Sequence, residues 1–348
     1  MSEAHERHLP SHVWNVAMVV VSIPLLAWMM HSLGWDAAKE VFRDAGVWFP
    51  LVVGLDLIGL AIDAAAIHAF MRPEARMVSY WRVFAANASG RAINLVTPGG
   101  ALGEATKVTM LVGHAPRARA VSAIVLFDLA GFYLSVAIVL VGVPLTLLMV
   151  DLPRDLAIVV WVGLALLAPI VVGLGVLVHR GALGTVMDGA ARLRILSRAR
   201  AASLKAKLAD VDAHLRELHV DRSAGTHVGF VWMGVSRVNG WLATGVVLYA
   251  IGVPITPTVL IGVFSCGILI GWVANAVPLG LGIADGSNYA LYDVLGASGA
   301  HGVFVTMLAR ARSIVLALVG LVIMAAAHTI NRVSIARRRK RLLASRAR

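Results

Sequence analysis

Apolar residues run almost without interruption through six stretches of the chain, at about 13–33, 47–70, 120–150, 156–179, 227–251 and 302–330. Each is at least as long as the ~18 residues that suggest a membrane span. The pattern therefore predicts six full transmembrane helices. Two further regions, 82–112 and 257–299, are apolar at their ends but broken near the middle by proline, glycine and polar residues: NLVTPGGALGE at 94–104 and NAVPLGLGIAD at 275–285. Each of these either spans once or enters and leaves on one side as a re-entrant hairpin. The first run, 13–33, exceeds the ~7–15-residue core of a signal peptide and no small-x-small cleavage pattern follows it, so it is expected to be retained as a span.

Composition supports the same class. Of 348 residues, 59% are hydrophobic and 14% charged, whereas soluble domains run nearer a quarter charged. The expected fold is an all-α polytopic membrane protein. The net charge of +12 comes from grouped basic residues, which fits the positive-inside bias of cytoplasmic loops and attraction to anionic lipid heads better than nucleic-acid binding. Cys266 is the only cysteine, which excludes a disulfide within the chain.

Basic residues decide between spans and hairpins. With both broken regions re-entrant and the N-terminus inside, the cytoplasm receives the 71–82 loop, Arg117 and Arg119, the nine basic residues from Arg180 to Arg222 and the eight from Arg332 onward. If both regions spanned once, the 180–226 segment and Arg117/Arg119 would face outward, against the positive-inside rule. Two hairpins are therefore expected, one entering from each side, each flanked by spans of opposite orientation. That is the layout of an inverted-topology repeat. In both broken stretches ten positions separate an asparagine from a carboxylate, Asn94 to Glu104 and Asn275 to Asp285, with proline and glycines between.

The expected organisation is an N-terminal membrane half (1–179, hairpin 82–112), a basic linker (180–226), a C-terminal half (227–331, hairpin 257–299) and a basic cytoplasmic tail (332–348). In the linker, Leu204, Leu208, Val211, Leu215 and Leu218 recur at helical spacing and predict an amphipathic helix. It either packs on the protein's own cytoplasmic face or lies on anionic lipid.

Backbone groups cannot remain unpaired in hydrocarbon, so a Pro98-Gly99-Gly100 tip implies a packed interior or a wet cavity. Helix N-termini there direct N–H groups at an occupant, which suits phosphate or carboxylate. Glu104 and Lys107, three apart, share a helix face. Either they form a mutually neutralised pair, or Lys107 and Arg91 are cationic partners for an anionic head, with Glu104 holding them or binding a cation or proton. Arg237 and Asn239 interrupt one span, while Arg310 and Arg312 lie in the last. Charges at that depth cost about 2.5–3.5 kcal/mol each and face partners or water. Asp285 is the expected partner of Arg310. Four arginines against the two motif acids suggest a positive excess suited to a phosphate-bearing ligand. Asp56, Asp63 and Asp128 either neutralise the arginines or serve as proton or ion sites. Paired cysteines, a GxSxG elbow and a Walker loop are missing, and neither a metal, a cofactor nor a catalytic residue is expected.

These motifs resemble the flippase-like proteins related to the membrane region of lysylphosphatidylglycerol synthase, the multiple-peptide-resistance type. Asn94…Thr97-Pro98-Gly99-Gly100…Gly103-Glu104 is similar to the first Asn…Pro…Gly-Glu motif of that family. Pro278-x-Gly280-x-Gly282-x-x-Asp285, followed by Arg310, resembles its second, with Leu279 and Asp285 standing where glycine and glutamate are common. The resemblance extends over about 45–330 and implies lipid translocation or lipid-head binding. The aminoacyl-transferring members carry a further soluble domain, which is expected to be absent here. The expectation is a flippase of a bacterial inner membrane, with both termini cytoplasmic. It would bind an anionic lipid head (phospholipid, polyprenyl-phosphate-linked, hopanoid or glycolipid) between the hairpins, with a second copy or a lipid-biosynthesis enzyme as partner. The alternatives are a membrane transferase on a lipid-linked substrate and a non-transporting scaffold.

Overall fold

The computed structural model describes residues 45–72, 77–97, 101–112, 114–150, 224–274 and 282–346, with a few isolated positions besides. The described residues form eight helices and no strand: α1 Trp48–Phe70, α2 Tyr80–Val96, α3 Ala101–Leu111, α4 Arg117–Met149, α5 Ala224–Ala250, α6 Pro257–Ala274, α7 Ile283–Val294 and α8 Gly299–Arg346. The expected spans at 13–33 and 156–179 and the amphipathic linker lie outside the described residues, as do the stretches 98–100 and 275–281.

Four of these helices are long and apolar enough to cross a bilayer: α1, α4, α6 and α8 as far as Ile330. Two differences from the expectation stand out. Helix α5 is continuous for 27 residues, but Arg237 and Asn239 dilute its apolar character and it is not among the four. Helix α6, expected as one arm of a hairpin, contains no charged residue in 18, and a rise of 1.5 Å per residue makes it about 27 Å long. By contrast α3 and α7 have 11 and 12 residues, roughly 16–18 Å, little more than half of a hydrocarbon core of about 30 Å.

Lipid tails are as apolar as leucine, so helix association inside a membrane rests on close packing and hydrogen bonds rather than on the hydrophobic effect. The chain meets that need with small residues. A Cβ on Gly320 of α8 would strike the backbone of Ala88 and the methyl of Ala92 on α2, and one on Gly142 of α4 would strike Ser265 on α6. Helix α2 and the turn before it are also fastened to α1 through backbone carbonyls: Tyr80 Oη donates to Ala61 (2.8 Å), Asn87 Nδ2 to Leu60 (3.1 Å), and His68 Nε2 of α1 to Val78, two residues ahead of α2 (2.9 Å). Ser89, Thr97, Thr106, Ser122, Ser135, Thr146 and Ser265 return their hydroxyls to the carbonyl four residues back. Their polarity is thereby hidden from lipid.

The packing partners cross between the two halves. Helix α1 lies chiefly against α5, α2 against α8, and α6 against α4, while α2–α3, α6–α7, α3–α4 and α7–α8 pack as chain neighbours. Apolar side chains fill the joints, with Phe49 and Val52 of α1 meeting Ala243, Val247, Leu308 and Ala311 of α5 and α8.

Candidate functional site

The crossing of α2 and α3 is set by two glycines. A Cβ on Gly90 would meet the Lys107 side chain and the Gly103 carbonyl, and one on Gly103 would meet Gly90 and Asn94. Because the backbones touch here, the Asn94 carboxamide reaches across. Its Oδ1 accepts the N–H of Gly103 at 2.8 Å and its Nδ2 donates to Glu104 Oε1 at 3.0 Å. The same oxygen takes Lys107 Nζ at 2.9 Å. Lys107 is only 6% exposed and stands 5.9 Å from the Phe127 ring centroid. The ten-residue spacing from asparagine to glutamate is thus a clip that joins the two helices.

Around this clip other elements contribute charge. Asp63 of α1 accepts from Ser236 Oγ of α5 at 2.6 Å and lies within electrostatic reach of Arg91, Lys107 and Arg237. Arg237 donates through Nη2 to Ser135 Oγ of α4 at 2.7 Å. Asp128 of α4 faces Glu104, with Lys107 and Asp63 nearby. Arg91 and Asp128 are exposed on the helix assembly.

A second centre lies at the start of α7. Gly282 has φ +78°, a left-handed conformation that glycine adopts without strain. Its N–H donates to Asp285 Oδ2 at 3.0 Å, so the aspartate caps its own helix. The same Oδ2 accepts Arg310 Nη2 of α8 at 2.7 Å, which joins the partners expected from the sequence. One turn away Asn288 Nδ2 donates to Thr306 Oγ1 at 2.9 Å. A third group links α1, α5 and α8. Arg312 grips both oxygens of Asp56 at 2.8 and 2.6 Å, and Asn239 Nδ2 donates to the Leu55 carbonyl at 2.8 Å.

The candidate residues therefore separate into three groups. Arg91, Asn94, Gly103, Glu104, Lys107, Asp63, Asp128 and Arg237 gather about the α2–α3 crossing. Gly282, Asp285 and Arg310 form the second centre, and Asp56, Asn239 and Arg312 a structural tie. Thr97 is buried and bonded to Ile93 of its own helix. Pro98, Gly99, Gly100, Asn275, Pro278 and Gly280 lie outside the described residues. Sequence reasoning passed over Ser135, Ser236, Asn288 and Thr306. Ser236 adjoins Arg237 and offered a signal; Ser135 offered none.

The charge balance changes with all three aspartates included. Arg91, Lys107, Arg237, Arg310 and Arg312 face Asp56, Asp63, Glu104, Asp128 and Asp285, five against five. Each carboxylate in the first turn of α3 and α7, Glu104 and Asp285, also offsets the positive end of its helix. The positive excess suggested by counting arginines against the two motif acids alone is not present among these groups.

Long apolar helices, small residues at their contacts and paired charges in their interior define an integral helical membrane protein with a polar centre. The chain belongs to the family described as the lysylphosphatidylglycerol synthase TM region, which matches residues 15–320. That family relates it to membrane lipid biosynthesis or transport. No curated protein matches it, and no solved structure does.

Proposed function

We propose that this protein is a lipid flippase, a transporter rather than an enzyme, which binds an anionic lipid head between two re-entrant helical hairpins, α2–α3 and α6–α7. The observation that carries the reading is the likeness of the two centres. In each, a half-length helix starts beside a glycine and holds a first-turn carboxylate, bonded through one oxygen to an amide and a cation: Asn94 and Lys107 on Glu104, Gly282 and Arg310 on Asp285. The crossed packing of α2 on α8 and α6 on α4 supports an inverted repeat, the architecture in which substrate sites lie at the midplane between halves. The length of α6 asks that this arm tilt or lie deep in the protein.

Arg91 and Arg237 are the cations best suited to an anionic head. Arg91 is exposed, and Arg237 holds a serine hydroxyl with Nη2. With basic loops inside, both termini face the cytoplasm of a bacterial inner membrane, and rocking of the halves exposes the site alternately.

Phosphatidylcholine proteoliposomes containing a trace of NBD-phosphatidylglycerol, bleached from outside with dithionite, test this directly. The intact protein should accelerate movement of the probe. Arg237→Gln and Arg310→Gln should slow it about tenfold or more, because a contact to a charged group contributes about 1.5–3 kcal/mol and ~1.4 kcal/mol is tenfold. Movement no faster than in empty vesicles would overturn the flippase assignment. Unchanged rates in both variants would overturn the site.

A further inference from the structure

Glu104 uses its two oxygens unequally. Oε1 takes both the Asn94 amide and the Lys107 ammonium. Oε2 is buried, and no N–H or hydroxyl among the described residues donates to it. What faces Glu104 is the carboxyl group of Asp128 on α4. Two ionised carboxylates repel, and in a low-dielectric setting one of them keeps a proton and donates it to the other. Leaving a buried oxygen without a donor is costly, and the shared proton removes that cost.

We propose that Asp128 and Glu104 share a proton, and that this carboxyl pair couples proton movement to lipid movement. The proposal rests on the flippase reading above for its second half only. Asp128 is exposed on the helix assembly while Lys107, bonded to Oε1 of Glu104, is buried, so the pair is reached from the Asp128 side. The proton passes from water to an Asp128 oxygen, bridges to Glu104, and leaves to water when the site opens on the other side. No bond other than O–H forms or breaks.

Charge gives the coupling its sign. The groups facing the pair are Lys107 of α3, Asp63 of α1, and through Asp63 also Arg91 of α2 and Arg237 of α5. With Asp63, Glu104 and Asp128 all ionised, these three carboxylates balance the three cations. One shared proton leaves the cluster at +1, and one singly charged anionic head restores neutrality. Proton and anionic lipid therefore bind better together than apart, a mutual linkage.

Two measurements test it. Infrared titration of the detergent-purified protein should show a carboxylic-acid carbonyl band that vanishes as pH rises. The band should be lost in both Asp128→Asn and Glu104→Gln and kept in Asp63→Asn, with size-exclusion profiles confirming intact folds. Absence of the band in the native protein, or its survival in Asp128→Asn, overturns the shared proton whatever the lipids do. In phosphatidylcholine vesicles with NBD-phosphatidylglycerol and trapped pyranine, an imposed pH gradient should accelerate the probe and acidify the lumen. Asp128→Asn should lose the gradient dependence, and Asp128→Glu should regain it. Probe movement indifferent to the gradient overturns the coupling and leaves the flippase standing. No probe movement at all overturns both the flippase and the coupling, with the infrared band still deciding the shared proton.

Discussion

The pair between Asp56 and Arg312 is the sharpest place to test the charged interior. The residues are 256 positions apart, on α1 and α8, yet they make two hydrogen bonds of 2.8 and 2.6 Å. Their side chains are 17% and 21% exposed. With charge centres about 4 Å apart and an effective dielectric near 20, the attraction is about 4 kcal/mol. Arg312→Gln leaves Asp56 as an unmatched carboxylate against two packed helices. Breaking a buried pair costs about 3–5 kcal/mol, and a lone charge in a span about 2.5–3.5 kcal/mol. A loss near 3 kcal/mol is expected for Arg312→Gln, and a similar loss for Asp56→Asn, on these two scales. The double variant has no unmatched charge, so it should be no less stable than either single one. The coupling energy should then be about 3 kcal/mol or more, the top of the range for groups in contact. Reversible SDS unfolding in mixed micelles, followed by tryptophan fluorescence, measures all four proteins. Additive single effects, to within about 0.5 kcal/mol, would refute the pairing as a structural tie.

Two further predictions follow from local geometry. Gly103→Ala must part α2 from α3, since the new methyl meets Gly90 and Asn94. A loss of about 1–3 kcal/mol from overpacking is expected, together with slower probe movement, whereas Gly267→Ala, which meets open space, should change neither. His114, in the turn between α3 and α4, is held below the usual imidazole range, first by burial and then by the positive charge of Arg82. Its depressed value means that the unfolded chain takes up the proton first. The stability it supports is complete above the ordinary value of 6.5 and declines as pH falls from there through the folded value. Melting curves in detergent should show that decline flattened in His114→Asn, and equal pH slopes would refute it.

Much of the membrane architecture was legible from hydropathy because a bilayer imposes length and apolarity on every helix that crosses it. The positions of α1, α4 and α8 follow from that rule. Glu104 and Lys107 were also legible, because a spacing of three places both on one helix face whatever surrounds the helix. The reach of α6 was not. Its apolar residues run up to the broken stretch, and an apolar run by itself does not reveal whether it ends halfway or continues across. The site was half legible. Composition marked Arg237, Arg310 and Arg312 as costly and in need of partners, and suggested Asp285 for Arg310.

On its own, the sequence determined that this is a helical membrane protein of its family, with charges inside its apolar stretches and glycine-rich breaks between them. Those features depend on counting residues along one dimension against a slab of known thickness. Only the tertiary structure decided which charge meets which. Asp56 with Arg312, Asp63 with Ser236 and Ser135 with Arg237 lie 102 to 256 positions apart, and no periodicity along the chain links them. It also decided why Asn94 and Gly103 belong to one motif: Gly90, outside the motif, lets two backbones touch, and only at that distance can an asparagine span the gap to hold Glu104.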